Sequence, residues 1–214
     1  MNNKEIFEKA YEKSGAVWTS IEPPIEIVKL IENGKIEPCK CLDIACGEGF
    51  YAIYLASKGF DVTGIDLSEN AIKYAKQNAS KKGVKIKFIT MNVSDLSKIN
   101  EKFDFVFEWA LLHHIRPEKR KRYVKDVSNL LNKGGKYFSV CFNEKSDHFA
   151  SPGKKERIVP QDAKILQGQK LYFSSLEELK NLFEPYFKII ESKLIKMKAR
   201  KRDHFANYFF MEKK

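Results

Sequence analysis

Residues 41–68 read CLDIACGEGFYAIYLASKGFDVTGIDLS, and this stretch decides the fold. Leu42, Ile44 and Ala45 form a short apolar run around Asp43, as expected at the end of a parallel strand buried on both faces. Gly47 and Gly49 follow. Neither carries a Cβ, so the backbone can turn tightly there and approach a ligand closely. Residues 50–58 place apolar side chains at helical spacing and stop at Gly59, a suitable residue just past a helix end. Val62 to Ile65 reads as the next strand, with Asp66 at its carboxyl end. That edge of an open α/β sheet is where ligands bind.

A glycine turn that opens a helix presents backbone N–H groups, and an acidic residue about 20 positions later can accept both hydroxyls of a ribose. A nucleoside-containing ligand is therefore expected. Gly47-x-Gly49-x-x-Ala52 also satisfies the loose dinucleotide fingerprint, so those positions alone leave NAD open. Asp43 and Glu48 argue against it. Carboxylates at the mouth of the first strand would repel a pyrophosphate and suit a cationic amino group. An adenosine ribose joined to a positively charged amino-acid end describes S-adenosylmethionine.

LDIACGEG (residues 42–49) and VTGIDLS (residues 62–68) resemble the first two motifs of class I S-adenosylmethionine-dependent methyltransferases, and the resemblance extends over nearly the whole chain. It implies one α/β domain over residues 1–214. This would be a Rossmann-like three-layer sandwich whose seven-stranded, mostly parallel sheet has its last strand inserted antiparallel. It implies that Asp43, Ala45, Gly47, Glu48 and Gly49 hold the methionine end of the cofactor. Asp66 and Leu67 would then hold the ribose, and Asn92 and Val93 the adenine, with Glu108 close by. An acidic residue usually stands where Asn92 does, and Asp95 is the alternative contact or a simple loop acid. Residues 1–39 form a helical N-terminal segment containing Trp18. A tryptophan followed by proline and a helix precedes the first motif in the same way in the thiopurine, thiol and tellurite-type subgroup. Trp18 is thus expected either to cover cofactor and substrate or to plug a helix against the sheet.

Val84 to Thr90 alternates as a strand, and Phe103 to Phe107 reads as the fourth. The run from Glu108 through Trp109, His113 and His114 to Ile115 follows it, where the resemblance places the methyl acceptor. Either histidine could serve as a general base, since imidazole titrates near neutrality, or could simply be packed. The Asn/Asp-Pro-Pro-aromatic run that grips a flipped base is missing there, as is a Pro-Cys nucleophile. Pro117 opens a helix reaching Lys133-Gly134-Gly135, and Lys136 to Phe142 is strand five; LLNKGGKYF again resembles the family. Residues 143–172 are rich in Lys, Ser, Gly and Pro without sustained period, which predicts a lid or binding loop, or a plain surface excursion. Phe142, Asp147, His148, Phe149 and Tyr172 are the expected substrate contacts from this region. Residues 187–196 and 207–212 read as two final strands, antiparallel because so short a connection joins them.

Of 214 residues, 43% are hydrophobic and 31% charged, the balance of a globular protein. No run is long enough to span a membrane, the N-terminus lacks a signal-like apolar region, and cytoplasmic residence is expected. Four cysteines predict buried thiols rather than a disulfide framework, and no metal site is expected. The net charge of +11 permits nucleic-acid binding. Most of it is scattered lysine, which favours a solvated surface. The leading expectation is methyl transfer to a small-molecule acceptor. The alternatives are an RNA methyltransferase and a non-catalytic S-adenosylmethionine-binding module.

Overall fold

The computed structural model describes residues 3–16, 18–147, 149, 153–163, 166–197 and 204–214. The chain forms two compact units, Met1–Phe107 and Glu108–Lys214. The first unit holds helices α1 (Asn3–Ala10), α2 (Ile25–Glu32), α3 (Phe50–Ser57) and α4 (Glu69–Lys82). Its strands are β1 (Lys40–Ile44), β2 (Asp61–Asp66), β3 (Lys87–Thr90) and the start of β4 (Phe103–Trp109). The second unit holds α5 (Pro117–Leu130), β5 (Leu131–Phe142), β6 (Glu156–Ile158), β7 (Lys170–Tyr172), α6 (Leu176–Phe183), β8 (Phe187–Met197) and β9 (His204–Lys213).

Seven strands hydrogen-bond in the order β3-β2-β1-β4-β5-β9-β8. In the first unit β1 pairs with β2 from Lys40↔Asp61 to Ile44↔Ile65, and β2 pairs with β3, both parallel. Cys41, Leu42, Ile44 and Ile65 are fully buried, as a central parallel strand covered on both faces requires. In the second unit β9 runs antiparallel to both β5 and β8, with a bulge between Ile189 and Glu191. The antiparallel last strand is thus present.

Local chemistry sets the helix ends. Ser68 caps α4, its Oγ accepting from the Ala71 N–H at 3.1 Å, and Gly83 closes the helix at φ 67°. Ser175 caps α6 by accepting from the Glu178 N–H at 3.1 Å. Some boundaries differ from the sequence pattern. β3 begins at Lys87, where its register against Thr63 of β2 starts, so Val84 to Ile86 stay outside the ladder. Extended backbone begins at Leu131, directly after α5, and runs through Gly134 at φ 74°. The Lys213 ammonium donates to the Leu131 carbonyl at 2.7 Å.

Residues 143–172 contain the antiparallel pair β6–β7, with Glu156 opposite Tyr172. The pair closes over a small core of Val159, Leu171 and Phe173, against which Phe142, Phe149, Ala163 and Leu166 pack. Arg157 ties the segment together. Its buried guanidinium donates to the carbonyls of Lys154, Ser146 and Glu144 at 2.7–2.8 Å and lies 3.9 Å from the Phe173 ring centroid. Sequence pattern predicted a loop because three-residue strands are too short to show alternation.

Gly49 fixes the seat of α3. It has φ 79°, and a Cβ there would lie 2.9 Å from both the Ala75 Cβ and the Phe88 ring. Gly49→Val combines left-handed strain with this clash and is expected to destabilise by about 3 kcal/mol or more. A denaturant titration checks it by the shift of the midpoint.

No helix among the described residues is long and apolar enough to cross a membrane.

Candidate active site

In the first unit the sheet's carboxyl edge carries a strained turn. Ala45 follows β1 in the left-handed region at φ 62°, and Gly47 and Gly49 continue the turn at φ 53° and 79°. The glycines adopt this region freely, whereas at Ala45 it costs about 1–3 kcal/mol, and strain of that kind concentrates at functional sites. The Cys46 N–H donates to the Ile65 carbonyl, which holds the turn beside the end of β2.

Asp43 is 3% exposed, and its Oδ2 has no hydrogen-bond partner among the described residues. Burial, and then the neighbouring Asp66, push its carboxyl well above the usual carboxylate range. Asp66 Oδ2 accepts from the Gly47 N–H and Oδ1 from the Ser68 N–H, each at 2.9 Å. Burial still pushes Asp66 up to about 6, against the lowering effect of those amides. Two buried carboxyls with raised pKa at one edge form a site that becomes comfortable when a cation arrives. A Cβ on Gly47 would stand 2.8 Å from the Tyr11 hydroxyl, so the glycine is needed for close approach. In charge and polarity these residues fit S-adenosylmethionine, which carries an ammonium and a ribose: a buried carboxylate oxygen without a partner and a second buried carboxyl stand at one edge.

The expected adenine side is a cleft of about 580 Å³ lined by Lys4, Leu67, Thr90, Met91, Asn92 and Asp95, among others. Asn92 stands at its rim with its Oδ1 accepting from the Ser94 N–H at 2.9 Å, and Val93 beside it is half-buried. Asp95 pairs with Lys98 at 2.8 Å.

Glu48 has different partners from those expected of a ligand contact. Its carboxylate accepts from Ser14 Oγ and Thr19 Oγ1 at 2.6 Å and from the Gly15 N–H at 2.9 Å. It therefore anchors residues 14–19 to the glycine turn. Trp18 lies in that segment, 38% exposed. Its Nε1 donates to the Tyr11 hydroxyl at 2.7 Å, and its ring meets Phe7 and Tyr11 edge-on. Trp18 is neither a core plug nor an isolated surface residue: it braces Tyr11 over Gly47. Tyr11 belongs to no motif, and its place over Gly47 is visible only in three dimensions. Glu8 carries no sequence signal either, yet its carboxylate accepts from Ser68 Oγ at 3.0 Å and from the first N–H groups of α4.

In the second unit Glu108 is fully buried. One carboxylate oxygen accepts from Ser139 Oγ and the other from the Leu111 N–H at 2.9 Å. Between them Ala110 takes φ 66°, with its N–H donating to the Val140 carbonyl at 2.7 Å. Burial pushes Glu108 up to about 7. Its partners make it the brace of the 109–111 turn. Trp109 is half-buried and tilted against Phe138. His113 is buried, stacked on Phe142 at 4.2 Å between centroids and 4.3 Å from the His114 ring. Burial holds His114 down to about 4, so it is neutral at pH 7.

Tyr172 is half-buried. Its carbonyl accepts from Arg120 Nη2 at 2.6 Å, while Arg120 also donates to Ser174 Oγ at 2.6 Å and to the Ile115 carbonyl at 2.9 Å. Of the other residues expected to line the substrate wall, Phe149 packs into the Val159 cluster, Asp147 is exposed, and His148 lies outside the described residues. The four cysteines form no disulfide, and no metal-binding cluster occurs among the described residues.

The raised carboxyls predict a pH dependence. The folded chain holds protons on Glu108 and Asp66 up to about 7 and 6, where the unfolded chain has released them. Asp43, Asp66 and Glu108 together hold more protons in the native state, outweighing the one that buried His114 gives up below about pH 6.5, so stability falls as pH rises toward 7. Glu108 alone accounts for on the order of 3 kcal/mol. Thermal melts of the ligand-free chain from pH 5 to 8 should show a falling midpoint; a rising one contradicts the geometry.

Residues 41–135 match the model of the family described as methyltransferase domain. The chain is 28% identical over 151 residues to 2-heptyl-1-hydroxyquinolin-4(1H)-one methyltransferase of Mycobacteroides abscessus, covering 67% of this chain and 66% of that protein. It is 34% identical over 120 residues to ubiquinone biosynthesis O-methyltransferase of Coxiella burnetii, covering 56% and 50%. The match thus spans between half and two thirds of these curated relatives. Among solved structures, an S-adenosylmethionine-dependent methyltransferase from Methanosarcina mazei superposes with TM-score 0.72 at 25% identity, covering 90% of this chain and 98% of that one. The motifs, the sheet order with its antiparallel last strand, and these likenesses agree: residues 41–135 match a methyltransferase domain, and the chain is similar in sequence and fold to S-adenosylmethionine-dependent methyltransferases.

Proposed function

We propose that the chain transfers a methyl group from S-adenosylmethionine to a small-molecule acceptor. The observation that carries this reading is Asp43, a buried carboxylate with an orphaned oxygen beside the Gly47–Gly49 turn. The two curated relatives support the acceptor class, one being named for a hydroxyquinolone and the other for ubiquinone biosynthesis.

When bound, S-adenosylmethionine supplies a sulfonium-activated methyl group. In this reading Asp43 binds its ammonium, and Asp66 turns its oxygens from the Gly47 and Ser68 amides to the ribose hydroxyls. Asn92 and Val93 border the adenine. Trp18 and Tyr11, anchored through Glu48, exclude water from the turn. Trp109, His113, Phe142 and Tyr172 present the acceptor. Neutral His114 can accept a hydrogen bond at pH 7 but is too weak a base to carry much proton transfer. Glu108 is committed to Ser139 and Leu111, so it positions the turn. Orientation and water exclusion therefore carry most of the rate. Four thiols without a disulfide support a reducing, cytoplasmic setting.

Incubation with methyl-labelled cofactor and a panel of ring hydroxyls, hydroxyquinolones and small thiols tests this. Label is expected in a small molecule. Label recovered only in added RNA would replace this acceptor class with the alternative one.

A further inference from the structure

Glu8 stands in the last turn of α1, 60 residues ahead of Ser68, the first residue it touches across the fold. Its carboxylate accepts from Ser68 Oγ at 3.0 Å, from the Glu69 N–H, and from the Asn70 N–H at 3.2 Å. Its carbonyl accepts from Asn70 Nδ2 at 3.3 Å, and Lys4 pairs with Glu69 at 2.7 Å, so α1 is tied to the start of α4 by backbone and side chains alike. The first N–H groups of a helix have no partner inside it. In α4, Ser68 Oγ satisfies Ala71, and Glu8 satisfies Glu69 and Asn70. Asp66, just upstream, is thereby left to the turn: its Oδ1 takes the Ser68 N–H and its Oδ2 the Gly47 N–H, each at 2.9 Å. A carboxylate close to open helix amides is drawn to them. Without Glu8, the amides of Glu69 and Asn70 would compete with a ligand for Asp66. The charge of Glu8 opposes the ionisation of Asp66, so what Glu8 supplies to that carboxylate is position and not charge.

We propose that Glu8 is a positioning residue of the cofactor site, holding Ser68 and the first amides of α4 so that the Asp66 carboxylate stays aimed at the ribose hydroxyls. The inference rests on the methyltransferase reading and on the ribose role given there to Asp66. It makes α1 part of the cofactor site, acting through Ser68 and Asp66. A plain tie between two helices would instead support every ligand of the site equally.

The test titrates the whole chain calorimetrically, as wild type, Glu8→Gln and Glu8→Ala, with S-adenosylhomocysteine and with its 2′,3′-dideoxy analogue, which lacks both hydroxyls. Wild type is expected to bind S-adenosylhomocysteine at least about tenfold more tightly than the analogue, since hydrogen bonds to a charged group are the stronger ones. Glu8→Ala should weaken S-adenosylhomocysteine by about tenfold, as coupled neighbours in one network do, and leave the analogue within about twofold of wild type. Glu8→Gln keeps one oxygen for α4, loses the other acceptor and should fall between. Both ligands meet the same preparation, so any unfolded fraction lowers the stoichiometry for both and cannot produce the difference. Equal weakening of the two ligands would make Glu8 a structural tie alone and overturn the proposal, as would unchanged S-adenosylhomocysteine affinity in both variants. If S-adenosylhomocysteine does not bind wild type, the methyltransferase reading falls and this inference with it. If it binds no better than the analogue, Asp66 holds no ribose, and this inference falls while cofactor binding stands.

Discussion

Asp43→Asn is expected to weaken S-adenosylmethionine binding by about 100-fold or more while leaving the ligand-free chain as stable as before, or more so. Removing one partner of a buried charge pair costs about 2–5 kcal/mol in binding, and this carboxylate is buried at the floor of the site. The carboxylate does accept a backbone hydrogen bond from Ala52, and an asparagine oxygen can accept the same bond. Asp43 Oδ2 makes no hydrogen bond, and burial together with Asp66 already opposes its ionisation. An amide of the same shape removes that burden. A purely structural aspartate would behave in the opposite way, losing stability first and affinity only as a consequence. Calorimetry for affinity and a thermal melt for stability, made on one preparation, separate the two. A variant that melts far below wild type, or binds as wild type does, contradicts the role given to Asp43.

Arg120→Leu is expected to destabilise the chain by about 3 kcal/mol or more. Its side chain is buried, and its three hydrogen bonds reach three separate places: Ile115 after the histidine turn, Tyr172 at the end of β7 and Ser174 before α6. Leucine leaves two carbonyls and a hydroxyl without partners. A hydrogen bond to a charged group contributes about 1.5–3 kcal/mol, and an unsatisfied buried partner adds its own cost. The loss should also be local in character. Amide exchange in residues 112–115 and 170–173 should accelerate more than exchange in β5 and β9, because those residues depend directly on the guanidinium. Denaturant titration gives the total and hydrogen exchange gives the distribution. Uniform acceleration across the second unit would show that Arg120 supports the fold generally and does not tie these segments together.

The two predictions differ in how visible their residues are in sequence. Asp43 can be read from the chain because its setting is local: an apolar strand, a glycine turn and a second acidic residue lie within two dozen positions. The same locality makes Asp66, the Ser68 cap and the helix that follows legible. Arg120 is not legible, since two of its three partners lie about fifty residues away and a lone arginine in a polar helix looks solvated. Arg157 shares that difficulty, because its meaning depends on a small core that three-residue strands enclose. Glu48 stands out in sequence by its charge beside the glycine turn, but its hydroxyl and amide partners at residues 14–19 come together only in three dimensions. Pattern reveals elements that repeat at a fixed period, and it is blind to single polar groups that bridge distant segments.

The central claim is tested most directly by a calorimetric titration of the chain with S-adenosylmethionine, S-adenosylhomocysteine and NAD under identical conditions at pH 7.5 and again at about pH 5. Both adenosyl ligands are expected to bind, and NAD is not. S-adenosylmethionine is also expected to bind less tightly at the lower pH, where protons compete with its ammonium for Asp43 and with its ribose hydroxyls for Asp66. Saturation at 100 times the dissociation constant would add about 2.7 kcal/mol of stability, which a parallel thermal melt would register. Binding of NAD alone, or S-adenosylmethionine affinity that rises as the carboxyls are protonated, would contradict it.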